Sequence, residues 1–286
     1  MAHIIPTEEE VLNYFNTLSN WGRWGKEDEL GAINFITPEK IKTASELVRE
    51  GVTISCARPI VTDIRPDVSA QALRYMLDTG QGRVEEDLER PPFALEFIGM
   101  VFHGKSITHI DSPAHCFFQG KMYNGREADF VSAREGARAN AVEALKNGVV
   151  TRGVLLDIDA NGPIFPEDLE AAEKRQGVKI KSGDALLVKS GQPLHAASTP
   201  WLFEREVALI GTDTDNELVP SGYSKVPRPF HQITLVAMGL WLIDNMSLDA
   251  LAAECKKLNQ WEFLFTVSPL RLERTTGSPV NPITIF

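Results

Sequence analysis

Three of the six histidines in this 286-residue chain fall within thirteen consecutive residues, and that crowding constrains the fold more than any other feature. The stretch reads His103-Gly104-Lys105-Ser106-Ile107-Thr108-His109-Ile110-Asp111-Ser112-Pro113-Ala114-His115. The run before it, residues 94–102, is rich in aromatic and branched side chains and reads as a buried strand. If the backbone is still extended at His109, alternation puts His109 and Asp111 on one face. A nitrogen and a carboxylate oxygen about 6 to 7 Å apart along a strand can converge on one cation. Pro113 then ends any ladder, and His115 follows on a turn. Two ligands on a strand and a third polar group on the next loop is how a metal site is usually laid out. The competing reading is a plain hydrogen-bonded histidine cluster.

Thr108-His109-Ile110-Asp111-Ser112-Pro113-Ala114-His115 resembles the second half of a known signature, His-x-Gly-Thr-His-x-Asp-x-Pro-x-His. That signature marks the putative cyclase superfamily, which includes bacterial kynurenine formamidase, isatin hydrolase and trans-dienelactone hydrolase. The first half departs from it, because Lys105 stands where short members carry histidine. Longer members place His-Gly two residues further upstream, as His103-Gly104 does here. Residues 120–125 (Gly-Lys-Met-Tyr-Asn-Gly), the segment from Trp21 to Asn34 and the C-terminal portion also resemble the longer members. The resemblance thus extends from about Trp21 to Phe286, and only its central signature is highly specific.

The resemblance implies an α/β fold, a swivelling β/β/α sandwich with a mixed sheet and flanking helices, in one domain over residues 1–286. It also implies a homo-oligomer, dimer or tetramer, and a divalent metal, zinc or manganese, at one or two per chain. His103, His109 and Asp111 would hold the metal, with His231 and Asp244 as candidates for a second metal or for support. A metal with an open position lowers the pKa of water towards about 7 and polarises a carbonyl. His115 would act as the base, a task suited to an imidazole with an unperturbed pKa near about 6.5. On chemistry alone it serves equally well as a supporting residue or second-metal ligand, and the resemblance favours the base.

The expected function is a metal-dependent hydrolase that opens a cyclic or formyl amide, or a lactone, through a metal-activated water. A lyase or cyclase that stabilises an enolate is the alternative, and Lys105 motivates a second, a non-catalytic small-molecule binder. Trp21 and Trp24, in a glycine-punctuated loop, are read either as an anchored lid or as an aromatic wall over the substrate pocket. Lys105 is read either as a solvated loop residue or as a cation for a substrate carboxylate. His3 and His195 are expected to lie outside the site, His3 in a frayed terminus.

A chain that is 43% hydrophobic and 24% charged is ordinary globular material, long enough for a substantial core. Its net charge of −10 argues against a nucleic-acid or anionic-membrane surface, so the expected partner is a small-molecule substrate. No membrane-length apolar run and no signal peptide is evident, and Cys56, Cys116 and Cys255 are scattered. A cytoplasmic protein with free thiols is expected. No phosphate loop, dinucleotide glycine motif or Gly-x-Ser-x-Gly elbow is present.

Helix signals begin at Thr7, with Glu8, Glu9 and Glu10 behind it, and at Thr37-Pro38-Glu39, where the helix is expected to run to about Glu50. Further helices are expected over 132–147 and 166–176, and from a Ser247 cap to about Leu258. Strands are expected at 52–60, 152–158, 185–189, 207–211 and in the C-terminal tail. Residues 61–92 read as a long loop or inserted arm, of the kind that covers a pocket or contacts a subunit. Because strand and helix patterns mix without strict alternation, a mixed sheet is expected.

Overall fold

Thr7 opens the first helix, α1 (Glu8–Thr17), through a capping box. Its hydroxyl accepts from the Glu10 N–H while the Glu10 carboxylate accepts from the Thr7 N–H. The computed structural model describes residues 3–66, 68, 70–84 and 92–286. The second helix, α2 (Pro38–Ser45), follows a Thr37 cap with proline at its first turn. It stops short of Glu50 because the Glu50 and Gly51 N–H groups turn away to the Phe286 carbonyl.

The strands, in chain order, are β1 (Thr53–Ser55), β2 (Leu73–Asp78), β3 (Leu95–Gly99), β4 (His109–Asp111), β5 (Val131–Ser132), β6 (Gly136–Ala137), β7 (Val149–Asp157), β8 (Ala185–Lys189), β9 (Leu209–Thr212), β10 (Trp241–Asp244), β11 (Glu262–Val267), β12 (Gly277–Pro279) and β13 (Ile283–Ile285). Nine of them form one mixed sheet, in the order β1-β13-β11-β7-β8-β9-β10-β4-β12. β7 through β10 run parallel, and antiparallel strands extend the sheet on both sides. Helix α3 (Pro166–Gln176) crosses over between β7 and β8, and α4 (Thr199–Glu204) between β8 and β9. The short α5 (Pro229–His231) runs into a π-helix, Gln232–Met238, before β10, and α6 (Asp249–Leu258) follows β10.

The parallel strands are buried on both faces, and alternation splits their side chains between two cores. Val154, Leu156, Leu186, Val188 and Ile210 pack with α1, α3, α4 and the π-helix. Leu155, Leu187, Leu209, Trp241 and Ile243 pack with α6 and the antiparallel end. Such a sheet covered on both sides is the α/β architecture expected. Among the described residues, no helix is long and apolar enough to cross a membrane.

Several local expectations are corrected. Residues 94–102 are not a buried strand: β3 is exposed along most of its length and pairs only with β2, a two-stranded arm apart from the main sheet. Within residues 61–92, read as a long loop or inserted arm, the described part carries β2, and 67, 69 and 85–91 lie outside the described residues. Residues 132–147 form no α-helix. Gly136 and Asn140 take positive φ there, and the Ala137 and Val142 N–H groups bond to Arg274 and Thr275 carbonyls instead of closing helical turns. Ser247 does not cap α6, since Leu248 occupies that position and the Ser247 N–H goes to the Cys56 carbonyl. The strand expected over 52–60 shrinks to β1. β11 went unread although its burial alternates strictly along six residues, with Phe263, Phe265 and Val267 inward.

His3 is seated rather than frayed, its ring stacked on Phe165 at 4.1 Å. The other face of the sequence's histidine inventory, His195, is buried, and its Nδ1 accepts the Ala197 N–H at 3.1 Å. Burial first, and His3 second, push the His195 imidazole below its ordinary value. A protonated ring would lose that acceptor, so protons favour the unfolded chain below the ordinary histidine pKa. Thermal midpoints measured from pH 7.5 down to pH 5 should therefore fall less steeply in His195→Gln, whose amide oxygen still accepts, than in the wild type.

Candidate metal centre

β4 is only three residues long, yet it is fully buried because it lies between β10 and β12. Its register sets Asp244 opposite His109 and Leu242 opposite Asp111, so His109, Asp111 and Asp244 share a face. The loop before β4 is held by Asn245, in the left-handed region, whose amide donates to the Gly104 carbonyl at 2.6 Å. In turn the Thr108 hydroxyl donates to the Asn245 carbonyl at 2.7 Å. These bonds bring His103 back over β4, to within 2.9 Å of Asp111 through its Nδ1. Gly277 makes the approach possible: a Cβ there would stand 2.4 Å from the Ile110 carbonyl oxygen and 2.9 Å from His103 Cε1.

The protonation pattern is set by bonds away from the centre. His109 Nδ1 donates to the Ile107 carbonyl at 2.8 Å, leaving a bare Nε2 lone pair 3.5 Å from Asp111 Oδ1. His103 Nε2 meets the Thr276 hydroxyl at 3.1 Å, which leaves Nδ1 facing the same carboxylate. Asp111 is fully buried, and neither of its oxygens, nor His103 Nδ1, has a hydrogen-bond partner. Two ring nitrogens and a buried carboxylate that converge in this way fit a cation between them. His103, His109 and Asp111 bring their donor atoms within 4.8 Å of one another.

A second set shares Asp111. His231 Nε2 lies 3.4 Å from Asp244 Oδ2 and 3.7 Å from Asp111 Oδ2, and these three residues also converge within 4.8 Å. Asp244 is held through its other oxygen by the Asn216 amide at 2.8 Å. The buried Glu217 carboxylate receives His231 Nδ1 at 3.0 Å and the His231 backbone N–H at 3.2 Å. Burial alone would lower the His231 pKa, but Asp244 and Glu217 outweigh it and raise the imidazole well above its ordinary value. Asp111 shows the opposite balance. Burial would raise its carboxyl, yet the surrounding His115, His103 and His109 hold it well below the carboxylate range.

His115 leaves the turn after Pro113 with its ring stacked flat on His103, centroids 4.0 Å apart. Its Nε2 is 3.9 Å from Asp111 Oδ2. Burial is the main cause that lowers its imidazole to about 4, with the Asp111 charge opposing and the other histidines assisting. At neutral pH the ring is therefore uncharged and able to accept a proton. All these groups line a cavity of about 380 Å³, within the range of small-molecule sites. Lys105 and Arg228 stand at this cavity; Lys105 is exposed and pairs with Asp215 at 3.1 Å.

The structure thus brings His103, His109, Asp111, His115, His231, Asp244 and Lys105 together, and leaves the two tryptophans out. Trp21 donates its indole N–H to the Val236 carbonyl at 2.6 Å and lines a different groove with Phe15 and Phe118. Trp24 packs edge-on against Phe35 at 5.0 Å. Neither tryptophan lines the cavity that holds the histidines. Sequence reasoning missed Asn216 and Glu217, and with them Gly277. The usable signal was the acidic run after β9 (Asp213, Asp215, Glu217), at the carboxyl end of a parallel strand, where α/β ligand sites gather.

A family model described as "Putative cyclase" matches residues 66–216. A crystal structure of a protein described as a novel cyclase is 27% identical, with a TM-score of 0.84 over 95% of this chain and 99% of that one. Isatin hydrolase A from Labrenzia aggregata is 16% identical, with a TM-score of 0.58 over 84% of this chain and 94% of its own. A predicted metal-dependent hydrolase from Bacillus stearothermophilus is also 16% identical, with a TM-score of 0.52 over 82% and 98%. No curated protein matches significantly. Because the family model spans more than half of its residues, the chain belongs to the putative cyclase family.

Proposed function

We propose that this protein is a divalent-metal-dependent hydrolase that opens a cyclic or formyl amide, or a lactone, by addition of water. The observation that carries the reading is Asp111, fully buried, with both carboxylate oxygens unbonded between two sets of histidine donors. His103, His109 and Asp111 would hold one cation, and Asp111, His231 and Asp244 a second, with zinc or manganese suited to such nitrogen and oxygen donors. When bound, the metal lowers the pKa of water and polarises the substrate carbonyl. Relatives described as isatin hydrolase and as a metal-dependent hydrolase support this reading.

The protein's own groups supply the rest. His115, neutral at pH 7 and fixed flat against His103, takes a proton on Nε2 and returns it to the leaving nitrogen or oxygen. Glu217 fixes the His231 ring through Nδ1, so that Nε2 stays directed at Asp111 and Asp244. With Lys105 engaged by Asp215, the Arg228 guanidinium at the cavity has no carboxylate partner among the described residues. An anionic group on the substrate would fill that role.

Four measurements test the reading. Protein purified in metal-free buffer should carry about one to two equivalents of zinc or manganese by elemental analysis, falling by at least about half in His109→Ala. Protein that holds no metal and takes none up at neutral pH would sink the proposal. His115→Ala should keep its metal while kcat against a hydrolysed amide or lactone falls about 10² to 10⁴-fold. Arg228→Ala should raise KM for a carboxylate-bearing substrate about tenfold, with little change for its neutral analogue. Products whose combined mass exceeds the substrate by one water mark hydrolysis, whereas unchanged mass would mark cyclisation or isomerisation instead.

A further inference from the structure

Arg58 belongs to neither candidate metal set, yet it ties together the two loops that flank them. It lies just beyond β1, where the chain is fixed from two sides. The Cys56 N–H donates to the Pro282 carbonyl at 2.8 Å, and the Ser247 N–H donates to the Cys56 carbonyl at 2.8 Å. The Arg58 N–H donates to the hydroxyl of Thr108, beside His109, at 2.8 Å. Its guanidinium then divides between two segments far apart in sequence. One terminal nitrogen donates to the Lys105 carbonyl at 3.1 Å, and the other to the Asp213 carbonyl at 2.6 Å. The first acceptor lies in the loop that carries His103 over β4. The second lies in the loop whose Asn216 and Glu217 hold Asp244 and His231.

We propose that Arg58 is a positioning residue, a rigid fork that sets the spacing of the two loops and so the approach of His103 to Asp111. The proposal rests on the metal-dependent reading above and assigns a further residue to that centre. Asp213 is a fixed point, because its carboxylate accepts the Ser190 and Gly191 N–H groups, just past β8, at 3.0–3.2 Å. The loop over 103–107 is instead held through its carbonyls: Asn245 takes those of Gly104 and Ile107, and Arg58 takes the one between them. A guanidinium is planar, so two carbonyls on one fork are held at a set separation. A lysine ammonium carries the same charge on a compact head and a flexible stem, and cannot set that separation. The Lys105–Asp215 ion pair spans the same gap, but with the Lys105 side chain 72% exposed it adds little in water. Without the fork, the loop that moves is therefore the one that carries His103, while Asp244 and His231 keep their own supports.

Calorimetric titration of the metal-free chain with zinc alone tests this. Arg58→Ala should bind zinc about 10- to 100-fold more weakly than the wild type, with its far-UV circular dichroism unchanged. Arg58→Lys should be impaired to a similar degree, and it carries the comparison should Arg58→Ala fail to fold. Millimolar methylguanidinium should restore much of the affinity lost in Arg58→Ala, because Arg58 borders an open cavity of about 740 Å³ that admits a small cation. Trypsin gives a readout that needs no metal, since the Lys105 carbonyl held by Arg58 is the one it attacks. In metal-free protein, cleavage after Lys105 should be at least about fivefold faster in Arg58→Ala and in Arg58→Lys than in the wild type. Wild-type zinc affinity in Arg58→Lys would overturn the fork, because charge alone would then suffice. Unchanged zinc affinity in Arg58→Ala, or unchanged cleavage after Lys105, would overturn the positioning role. A wild type that binds no zinc would instead count against the metal-dependent reading, and cleavage after Lys105 would still decide whether Arg58 holds the loop.

Discussion

The insertion of β4 into the sheet is the constraint on which the candidate centre depends. Three residues cannot form a stable strand alone, and here they are held on one side by β10 and on the other by β12. Both pairings are antiparallel, so residues directly opposite share a face. That sets the Asp244 carboxylate across from His109 and leaves Gly277 across from Asp111. The absence of a side chain at 277 is what lets the His103 ring descend onto the same carboxylate. A charged aspartate at the middle of a sheet is tolerable only when it is compensated. Of the four imidazoles within 4 Å of the Asp111 oxygens, His231 is the one raised well above its ordinary value, and the proposed cation would supply the rest of that compensation.

Around this carboxylate the histidines do not play equivalent parts, because each is fixed by a different bond elsewhere. The Ile107 carbonyl fixes the His109 tautomer, the Thr276 hydroxyl orients His103, and the Glu217 carboxylate orients His231. His115 has no such tether among the described residues; its ring is stacked on His103 and its Nε2 lies 3.9 Å from Asp111 Oδ2. The three tethered rings are suited to holding a ligand in place, and the untethered one to moving a proton. The difference in their titration follows from the same arrangement. His231 sits between two carboxylates and is pulled upward, whereas His115 is buried among other imidazoles and is pushed down.

Much of the fold was legible where local signals and tertiary demands agreed. Helix α3 matches the expected residues 166–176, and β8 matches residues 185–189. The misreadings share one physical origin. Residues 132–147 carry the alanines of a helix, but their N–H groups are claimed by carbonyls near 274, a partner far away in sequence. Residues 94–102 have the composition of a buried strand, yet the core does not cover them, and β3 is exposed along most of its length. In both cases local composition says nothing of which distant segment meets the residues that carry it.

The sequence by itself determined the chemistry of the centre. His103, His109, Asp111 and His115 are near one another in any extended chain, and side-chain alternation is enough to put His109 and Asp111 on one face. It could also nominate His231 and Asp244, though only by resemblance. Tertiary structure decided everything that requires two distant segments to meet. It placed Asp244 against His109, brought Asn216 and Glu217 to orient Asp244 and His231, opened space for His103 at Gly277, and sent Trp21 and Trp24 to a different groove. Periodicity and spacing are local properties of a chain. Strand register and the partner of a buried charge are settled only when the sheet closes around them.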